Sequence, residues 1–383
     1  MLGAKVTLSL AALALIYVYL LYPALLCLLA LFRRTRSPEP GYTPFLSILI
    51  AACNEGAVIE KKLRCTLSLD YPADRIEILV VSDGSEDETD DIVRAFPDER
   101  IRLVRIPARR GKTNAQNAGV RSAKGDVLVF SDATTIYQSR ALRYLAAHYK
   151  DPSVGAVSGR YEYFDSTAGS PTGMGSITFW SYENRIKVWQ SAIATLTGCC
   201  GCIYSVRRSI YTELAPDIIS DLVQPLHVIR KGYRVAFEER ALAFEQTTES
   251  TREELSMRVR IVTRAMRGLL SVPDLLRPWR HPWIAFQLIS HKVLRWMIPL
   301  FLTAALFSNA LLAREPYLRA LLIGQLCFYG LALLGLAAPV HRLWKPLGMP
   351  LYFCTLNTAA ILGLVALLRG RKYVTWQPVR YRG

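Results

Sequence analysis

The sequence predicts an α/β domain with a doubly wound, mostly parallel sheet, joined to one N-terminal and about three C-terminal membrane-spanning helices. Three observations predict this fold class. Long uncharged stretches lie near both ends of the chain, three short apolar runs in the middle end at polar residues, and helical stretches separate these runs. With 383 residues, 51% hydrophobic and 20% charged, the chain is too apolar for disorder and too charged for a membrane bundle alone.

Residues 1–36 are predicted to contain an N-terminal transmembrane helix. Residues 6–32 carry no charge and precede Arg33, Arg34 and Arg36. At about 1.5 Å per residue, this stretch is longer than a hydrocarbon core of roughly 30 Å. A cleaved signal peptide is the alternative, but its apolar region would be much shorter and no small-residue cleavage site follows. We therefore interpret the stretch as a membrane anchor.

Residues 42–270 are predicted to form a water-soluble domain, which the Pro-rich residues 37–44 link to the anchor. Apolar runs rich in β-branched residues begin the segments 46–55, 76–89 and 126–135. Each run stops at a polar turn, and a helical stretch follows the first. Because parallel strands place their carboxyl ends at one edge of a sheet, a ligand crevice is expected at these ends.

Polar residues at the strand ends predict a site for a phosphate-bearing ligand. Asp83 opens the acceptor-rich segment 82–89, although an N-capping cluster is the favoured interpretation of that segment alone. Lys112 and Asn117 lie in a basic loop that enters a helix, which suits a diphosphate; a solvated basic face is the alternative. Asp132 ends an apolar strand, a position suited to a divalent cation that bridges phosphates.

Residues 296–370 are predicted to form C-terminal transmembrane helices, with amphipathic interface helices at 271–295 before them and a basic tail at 371–383 after them. The segment WIAFQLISHKVLRW (283–296) mixes basic and large apolar residues at helical spacing, which is typical of a helix lying in the membrane interface. The uncharged stretches that could span are roughly 296–313, 320–340 and 347–368.

Basic residues predict the orientation of these helices. Arg33 and its neighbours place the middle domain in the cytoplasm, as does the loop that contains His341, Arg342 and Lys345. Three C-terminal crossings would put the tail outside, yet its basic sequence belongs inside by the same rule. We therefore expect one of the four apolar stretches to be re-entrant or interfacial.

The eight cysteines predict neither a disulfide framework nor a zinc site. Four of them lie in apolar contexts of a non-secreted pattern. Cys199, Cys200 and Cys202 are clustered, but a zinc site would need a second ligand pair at finger-like spacing. We interpret the cluster as small buried residues in a tight loop.

Eight segments, in order along nearly the whole chain, together resemble the membrane-integrated family 2 glycosyltransferases, which include cellulose, chitin and hyaluronan synthases. Each segment is weak alone, but the ordered set is specific. The resemblance implies a GT-A fold with a Rossmann-like mixed sheet, a nucleotide-sugar donor with a UDP-sugar favoured, and Mg²⁺ or Mn²⁺. The segments are CNE (53–55), SDGSEDET (82–89), GKTNAQNAG (111–119), FSDATT (130–135), VGAVSG (154–159), TGCCGCIYSVRR (197–208), SDLVQPLHVIRKGYRV (220–235) and MRVRIVTRAMRG (257–268).

The resemblance implies roles for residues on the donor side. Asn54 and Glu55 would line the nucleotide pocket, and Asp83 would hold the base or ribose. Asp132 begins the position of the family's Asp-x-Asp motif and would ligate the metal under the diphosphate. The sequence departs from the motif at Thr134, so metal ligation would rest on Asp132, with Thr134 acting through water. Further nucleotide-sugar contacts are expected from Lys112, Asn117, Ser131 and Arg260.

On the acceptor side, the resemblance places Asp221 at the catalytic base. An inverting transfer needs a carboxylate that accepts the acceptor hydroxyl's proton while a cation holds the departing diphosphate. An oxocarbenium-like transition state is expected, as in other glycosyl chemistry. A helix N-cap is the alternative role for Asp221. The small residues of the acceptor-side loop, which would let the acceptor approach, are Gly198, Cys199, Cys200 and Gly201.

The segment MRVRI (257–261) matches the motif Q-x-x-R-W of the polymerising members. Arg260 retains the arginine and would bind the diphosphate. Met257 and Ile261 replace the Gln and the Trp, and the loss of the Trp platform argues against a long-chain synthase. The alternative for the arginines of this segment is a basic amphipathic helix on anionic headgroups, and the two roles are compatible.

The sequence thus predicts a plasma- or inner-membrane enzyme with a cytoplasmic catalytic domain. It would transfer a sugar, by metal-assisted single displacement with inversion, to a glycan or lipid-linked acceptor in polysaccharide or glycolipid synthesis. Two alternatives remain: a polyprenyl-phosphate sugar synthase, whose phosphate acceptor needs little general base, and a catalytically silent scaffold that binds nucleotide sugar or glycan. The net charge of +16 is attributed to membrane lipids rather than nucleic acid, because many basic residues border apolar segments.

Overall fold

A mixed β-sheet forms the centre of the middle domain. The computed structural model describes residues 1–33, 37–164, 173–246, 250–338 and 345–375, and within these ranges eight strands belong to one sheet. They are β1 (Leu46–Ala52), β2 (Ile76–Asp83), β3 (Ile101–Ile106), β4 (Val127–Asp132), β5 (Ile136–Tyr137), β6 (Val154–Phe164), β7 (Ile203–Arg207) and β8 (Arg234–Gln246).

The parallel half of the sheet holds the three strands that the sequence predicts. The strand order is β3-β2-β1-β4-β7-β6-β8-β5, with β1 parallel to both β2 and β4. Every residue of β1 and β2 is buried, which is typical of strands covered on both faces. Ala52 pairs with Ser82 and Ala51 with Asp132, so the ends of β1, β2 and β4 meet at one edge.

Helices pack against this sheet and extend from it at both ends of the chain. In chain order they are α1 (Leu2–Ile16), α2 (Tyr22–Leu31), α3 (Gly56–Leu67), α4 (Thr89–Arg94), α5 (Lys112–Ser122), α6 (Ala141–Ala147), α7 (Gly173–Ile193), α8 (Ser220–Arg230), α9 (Thr251–Leu270), α10 (Pro282–Leu288), α11 (Leu294–Leu311), α12 (Pro316–Ala337) and α13 (Met349–Leu368).

Two of the apolar helices contain a π-helical turn. Tyr17–Leu21 joins α1 to α2, and Ile289–Val293 joins α10 to α11, so each pair forms one continuous helix. The segment 283–296 is therefore part of a long apolar helix, where the sequence led us to expect a separate interfacial one. Within the described ranges, four helices are long and apolar enough to cross a membrane: Leu2–Leu31, Pro282–Leu311, Pro316–Ala337 and Pro346–Leu368.

The last apolar helix, α13, packs along α9 of the domain. Near its start, Arg258 donates a hydrogen bond to the Tyr352 hydroxyl at 3.1 Å. Further along, the Thr263 hydroxyl donates to the carbonyl of Gly363 at 3.3 Å. Just beyond its end, Arg267 donates to the carbonyl of Arg371 at 3.1 Å. Helix α13 is thus fixed to the domain along its whole length.

The chain after α13 returns to the loop that precedes α5. The backbone of Val374 lies against Gly111, where a Cβ atom would collide with it, and Gly111 has φ +91°. The first residues of the basic tail therefore lie beside the domain. Other basic residues used to predict orientation, Arg34, Arg36, His341 and Arg342, lie outside the described residues, as do residues 376–383.

Candidate active site

A crevice of about 260 Å³ opens where β1 and β4 end. It receives side chains from the β1–α3 turn, the start of α5, the end of β8, the start of α8 and the middle of α9. The crevice is therefore assembled from segments far apart in sequence. Its charged lining residues are Glu55, Lys112, Asp132, Asp221, Glu245, Arg258, Arg260 and Arg264.

Asp132 and Lys112 form an ion pair in this crevice. Asp132 ends β4, and Lys112 begins α5 directly after Gly111. Burial lowers the pKa of Lys112, but the Asp132 carboxylate outweighs burial and leaves that pKa raised. Lys112 is therefore a fixed cation at the edge of the sheet where β4 ends. A phosphate group could bind Lys112 there, either in place of the Asp132 carboxylate or beside it.

Glu55 brings a second carboxyl group into the crevice. Its backbone N–H donates to the Thr89 hydroxyl at 2.8 Å, which holds the β1–α3 turn against the start of α4. Burial, together with the negative charges of Asp132, Asp87 and Glu245, raises the pKa of Glu55 to about 8. These neighbouring carboxylates thus disfavour the charged form of Glu55, and a bound cation would relieve that repulsion.

Asn54 shapes this turn rather than lining the crevice. It has a left-handed backbone with φ 57°, a conformation that asparagine tolerates well. Its side-chain oxygen accepts the N–H of Glu86 at 2.8 Å, and its own N–H donates to the Ser85 hydroxyl at 3.1 Å. Asn54 therefore ties the end of β1 to the loop after β2.

Asp221 lies in the first turn of α8 and faces the crevice. The N-cap of α8 is Ile219, and no side chain caps the helix. Asp221 therefore does not act as the N-cap, which was its alternative role. Burial raises the pKa of Asp221, although Lys112 and Lys187 oppose the shift. A carboxylate with a raised pKa is a better proton acceptor, as a general base requires.

The acceptor-side loop packs directly on Asp221. The N–H of Cys199 donates to the Asp221 carbonyl at 2.7 Å. A Cβ atom on Gly201 would lie 2.6 Å from the Asp221 Oδ2 atom, so the missing side chain makes room for the carboxylate. Cys200 and Gly201 line the crevice, whereas Gly198 and Cys199 line a neighbouring cavity that Asp221 also reaches. All eight cysteines are free, and the three of this cluster are buried.

Besides Asn54, three residues expected at the nucleotide do not line the crevice. The Asp83 carboxylate accepts the N–H groups of Arg110 and Gly111, each at 2.8 Å, and so holds the loop before α5. The Asn117 amide donates to the carbonyl of Leu214 at 2.8 Å. Ser131 is buried and accepts from the ammonium of Lys62 at 2.7 Å. In this geometry all three position the elements that carry the crevice residues.

Sequence reasoning missed Glu245, which brings a further carboxylate to the crevice from β8. The Thr134 hydroxyl donates to Glu245 at 2.5 Å, and the Tyr161 hydroxyl donates to its other oxygen. Position 134 is where the sequence departs from the Asp-x-Asp motif, so Glu245 places a carboxylate beside that position. The parallel pairing of β8 with β6 brings Glu245 to the crevice, through a register irregularity at Gly159. No local sequence pattern predicts that irregularity.

The oxygen donors of the crevice fit a divalent cation held together with a ligand. Within the described residues, no group of three His, Cys, Asp or Glu side chains is arranged to bind a metal alone. Asp132 is a strand-end carboxylate paired with the Lys112 ammonium, and Mg²⁺ commonly binds through one or two carboxylates plus substrate phosphates. The residues present thus suit a cation that binds with a phosphorylated substrate.

Three arginines of α9, Arg258, Arg260 and Arg264, face the protein rather than an outer surface. Arg258 donates to Glu254 at 2.8 Å, and Arg264 donates to the Thr113 hydroxyl and the Ile218 carbonyl, each at 2.7 Å. Arg260 lines the crevice, and burial lowers its pKa. These contacts favour the site-forming role of the segment over a basic helix resting on headgroups.

A crevice of acidic and basic side chains at the carboxyl ends of parallel strands is typical of a nucleotide-binding α/β domain. Residues 47–215 match the family model described as glycosyl transferase family 2.

Two curated relatives carry related activities in their names. The probable glycosyltransferase YdaM of Bacillus subtilis is 32% identical over 221 residues, which cover 54% of this chain and 52% of the relative. An N-acetylglucosaminyltransferase of Rhizobium meliloti is 24% identical over 296 residues, which cover 73% of this chain and 69% of the relative. The chain thus spans about half of the first relative and about two thirds of the second.

A solved structure resembles the fold over almost the whole chain. The mannosyltransferase PcManGT from Pyrobaculum calidifontis, determined in complex with GDP-Man and Mn²⁺, superposes with a TM-score of 0.73 at 22% identity. The match covers 96% of this chain and all of the other. The GT-A fold that the resemblance implied, with its flanking apolar helices, is confirmed.

Proposed function

We propose that this chain is a membrane-bound, inverting glycosyltransferase that moves a sugar from a nucleotide-sugar donor to an acceptor hydroxyl at the membrane. One observation carries the proposal: Asp132, at the end of β4, and Asp221, at the start of α8, line the same crevice with Lys112. The crevice therefore offers a diphosphate-binding side and a proton-accepting side in one space. The relatives' names and the family match support the same reaction class.

On the donor side, Lys112 and Arg260 bind the diphosphate, and Glu55 closes the pocket behind it. Asp83 and Asn54 hold the loops on which the nucleoside rests, and Asn117 and Ser131 support the same loops. A UDP-sugar is the favoured donor by resemblance, although PcManGT was solved with GDP-Man. A divalent cation at Asp132, Mg²⁺ or Mn²⁺, would neutralise charge on the departing diphosphate.

On the acceptor side, the hydroxyl proton passes to the Asp221 carboxylate as the oxygen attacks the anomeric carbon. Gly198, Cys199, Cys200 and Gly201 leave room for the acceptor beside that carboxylate. Trp180 of α7 and Ile261 both line the crevice, so α7 supplies an aromatic surface to a site in which position 261 lacks one. A sugar ring can pack there, which weakens the argument against chain extension drawn from Ile261 alone.

The activity and its metal dependence can be tested together in membranes that contain the chain. We expect one nucleotide sugar of a panel to be converted to nucleoside diphosphate and a glycosylated product, and EDTA to stop the reaction until Mg²⁺ or Mn²⁺ is added back. Proton NMR should show a β-linked product from an α-linked donor.

Variants of β4 provide the matched comparison. Asp132→Asn should reduce turnover by at least about 100-fold and raise the metal concentration needed, because it removes the charge that holds the cation. Asp126→Asn changes an exposed residue just before the same strand and should behave as wild type. Donor binding without any turnover would indicate a binding scaffold, and turnover that ignores EDTA would contradict the metal role.

A further inference from the structure

A second cavity, of about 520 Å³, lies between the domain and the apolar helices. Helices α7 and α9 contribute its domain side. Helices α11 and α13 contribute Trp296, Phe353, Leu356 and Ala360, so much of the wall is aromatic or aliphatic. Both of these helices belong to segments long and apolar enough to cross a membrane. An apolar molecule could therefore enter from the bilayer.

The cavity adjoins the crevice at the proposed base. Trp180, Ile219, Asp221, Arg258 and Ile261 line both spaces. A molecule in the second cavity can thus present an oxygen to Asp221 while a donor occupies the first. Since the crevice is the donor side, the second cavity is the natural place for the acceptor.

The charges in this cavity favour an anion. Its lining has four cationic side chains, Lys187, Arg258, Lys292 and Arg295, but only two carboxylates, Glu183 and Asp221.

Most of these cations already have partners. Arg295 pairs with Glu183, and Lys187 donates to the Cys200 sulfur at 2.9 Å. Lys292 has no hydrogen bond or ion pair among the described residues, although it is only partly exposed. A counter-charge stabilises a protonated ammonium in an apolar cavity, and a ligand phosphate would supply one.

Two π-helical turns among the described residues both face this cavity. Tyr19, from the turn Tyr17–Leu21, and Lys292, from Ile289–Val293, line it. The Tyr17 hydroxyl and the Ser290 hydroxyl, at 2.7 Å, join the two turns. Single π-turns within α-helices are frequent at functional sites, and here they turn polar side chains toward an otherwise apolar space.

We propose that this cavity binds a lipid-linked acceptor, with a phosphate at Lys292 and the hydrocarbon chain against α11 and α13. The proposal rests on the proposed function and names its acceptor class. In the reaction, the acceptor hydroxyl oxygen forms a bond to the anomeric carbon, and the bond from that carbon to the diphosphate breaks. The proton goes to Asp221, and the electron pair leaves with the nucleoside diphosphate.

Photo-crosslinking of the full chain in phosphatidylcholine nanodiscs tests the cavity directly. The probes are dodecyl phosphate and dodecanol, each with a diazirine on the alkyl chain, and modified peptides are mapped by mass spectrometry. The phosphate probe should label peptides of α11 and α13 about tenfold more than the alcohol, because a charge-assisted contact to Lys292 holds it. Unlabelled dodecyl phosphate should compete.

Three lysine variants make the test specific. Lys292→Met should reduce the phosphate-dependent labelling about tenfold, and Lys292→Arg should retain it. Lys5→Met, which changes a lysine paired with Glu315 at 4.0 Å outside the cavity, should leave labelling unchanged. A thermal unfolding midpoint for each variant shows whether it is folded.

Equal labelling by both probes, or labelling that Lys292→Met does not change in a folded protein, would overturn the proposal. Full competition by inorganic phosphate would do the same, because it would indicate a site for soluble phosphate. Nucleoside diphosphate release by the wild-type preparation is measured in parallel. Release without phosphate-dependent labelling refutes only the acceptor class, whereas labelling without release refutes the proposed function.

Discussion

At the scale of single residues, the approach of Gly201 to Asp221 ties the acceptor-side loop to the proposed base. Gly201→Ala would place a methyl group 2.6 Å from the Asp221 Oδ2 atom, and the carboxylate can swing away without disturbing the fold. We expect turnover to fall about 10- to 100-fold, because a base displaced by about 1 Å loses its alignment with the acceptor hydroxyl. Steady-state kinetics would measure the loss.

Gly198→Ala is the matched control in the same loop. A Cβ atom there would meet Leu222 at 3.4 Å, an ordinary contact. Its methyl group enters the acceptor side but leaves the Asp221 carboxylate in place, so turnover should fall less than in Gly201→Ala, by under about tenfold. Equal losses in both variants would indicate that the loop is merely intolerant of side chains and that Gly201 does not position Asp221.

The sequence could predict those site residues whose position is marked by the segment immediately around them. Glu55, Asp132 and Asp221 each follow a strand or begin a helix within a recognisable segment, and all three line the crevice. Asn117 has the same local setting, yet its amide is taken by Leu214, 97 residues away. Glu245 reaches the crevice only through strand pairing, so a local pattern could not reveal it.

At the scale of elements, Arg264 connects α9 to the elements that carry the crevice. Its guanidinium donates to Thr113 on α5 and to the carbonyls of Pro216 and Ile218 ahead of α8. Arg264→Met removes these hydrogen bonds, although the Ile218 carbonyl keeps the Thr113 hydroxyl as a donor. The loss should lower the free energy of unfolding by about 2 kcal/mol. Thermal unfolding of the purified protein would detect this as a lower midpoint.

The exposed Arg252 offers a control near the start of the same helix. Arg252→Met should change the free energy of unfolding by less than about 0.5 kcal/mol, as is usual for surface substitutions. If Arg264→Met changed the free energy of unfolding as little as Arg252→Met, the contacts of α9 with α5 and with the start of α8 would not stabilise the crevice.

The strands were the elements most open to prediction, because β1, β2 and β4 are buried on both faces and their apolar runs mark them directly. Their apolar parts lie at 46–52, 76–83 and 127–132, inside the predicted segments. Helix α13 was harder. Its composition matches a membrane span, and only its tertiary contacts with α9 distinguish it from the other apolar helices.

At the scale of the whole molecule, the packing of α13 explains how a basic tail can lie on the cytoplasmic side. Three C-terminal crossings would have placed that tail outside. If α13 lies along α9 and three other apolar helices cross, the tail and the domain share one side of the membrane. The contact of Arg267 with Arg371 is consistent with this arrangement. Lys5 and Glu315, which lie 4.0 Å apart, would then face the opposite side.

Epitope tags would test this topology in intact cells. A tag before Met1 should bind antibody without permeabilisation, and a tag after Gly383 should bind only once the membrane is opened. An antibody against the domain should show the same requirement as the second tag. A C-terminal tag that is reached in intact cells would mean that α13 crosses the membrane.

The most direct test of the central claim, that Asp221 takes the acceptor's proton in the crevice that holds the donor, is turnover of Asp221→Asn beside donor binding by the same protein. We predict that transfer falls by at least about 100-fold while the nucleotide affinity stays within about threefold, because the amide fills the same space but accepts no proton. Asp91→Asn, at an exposed carboxylate on α4, should match wild type in both measurements. Retained transfer by Asp221→Asn would contradict the account and would favour a phosphate acceptor that needs no base.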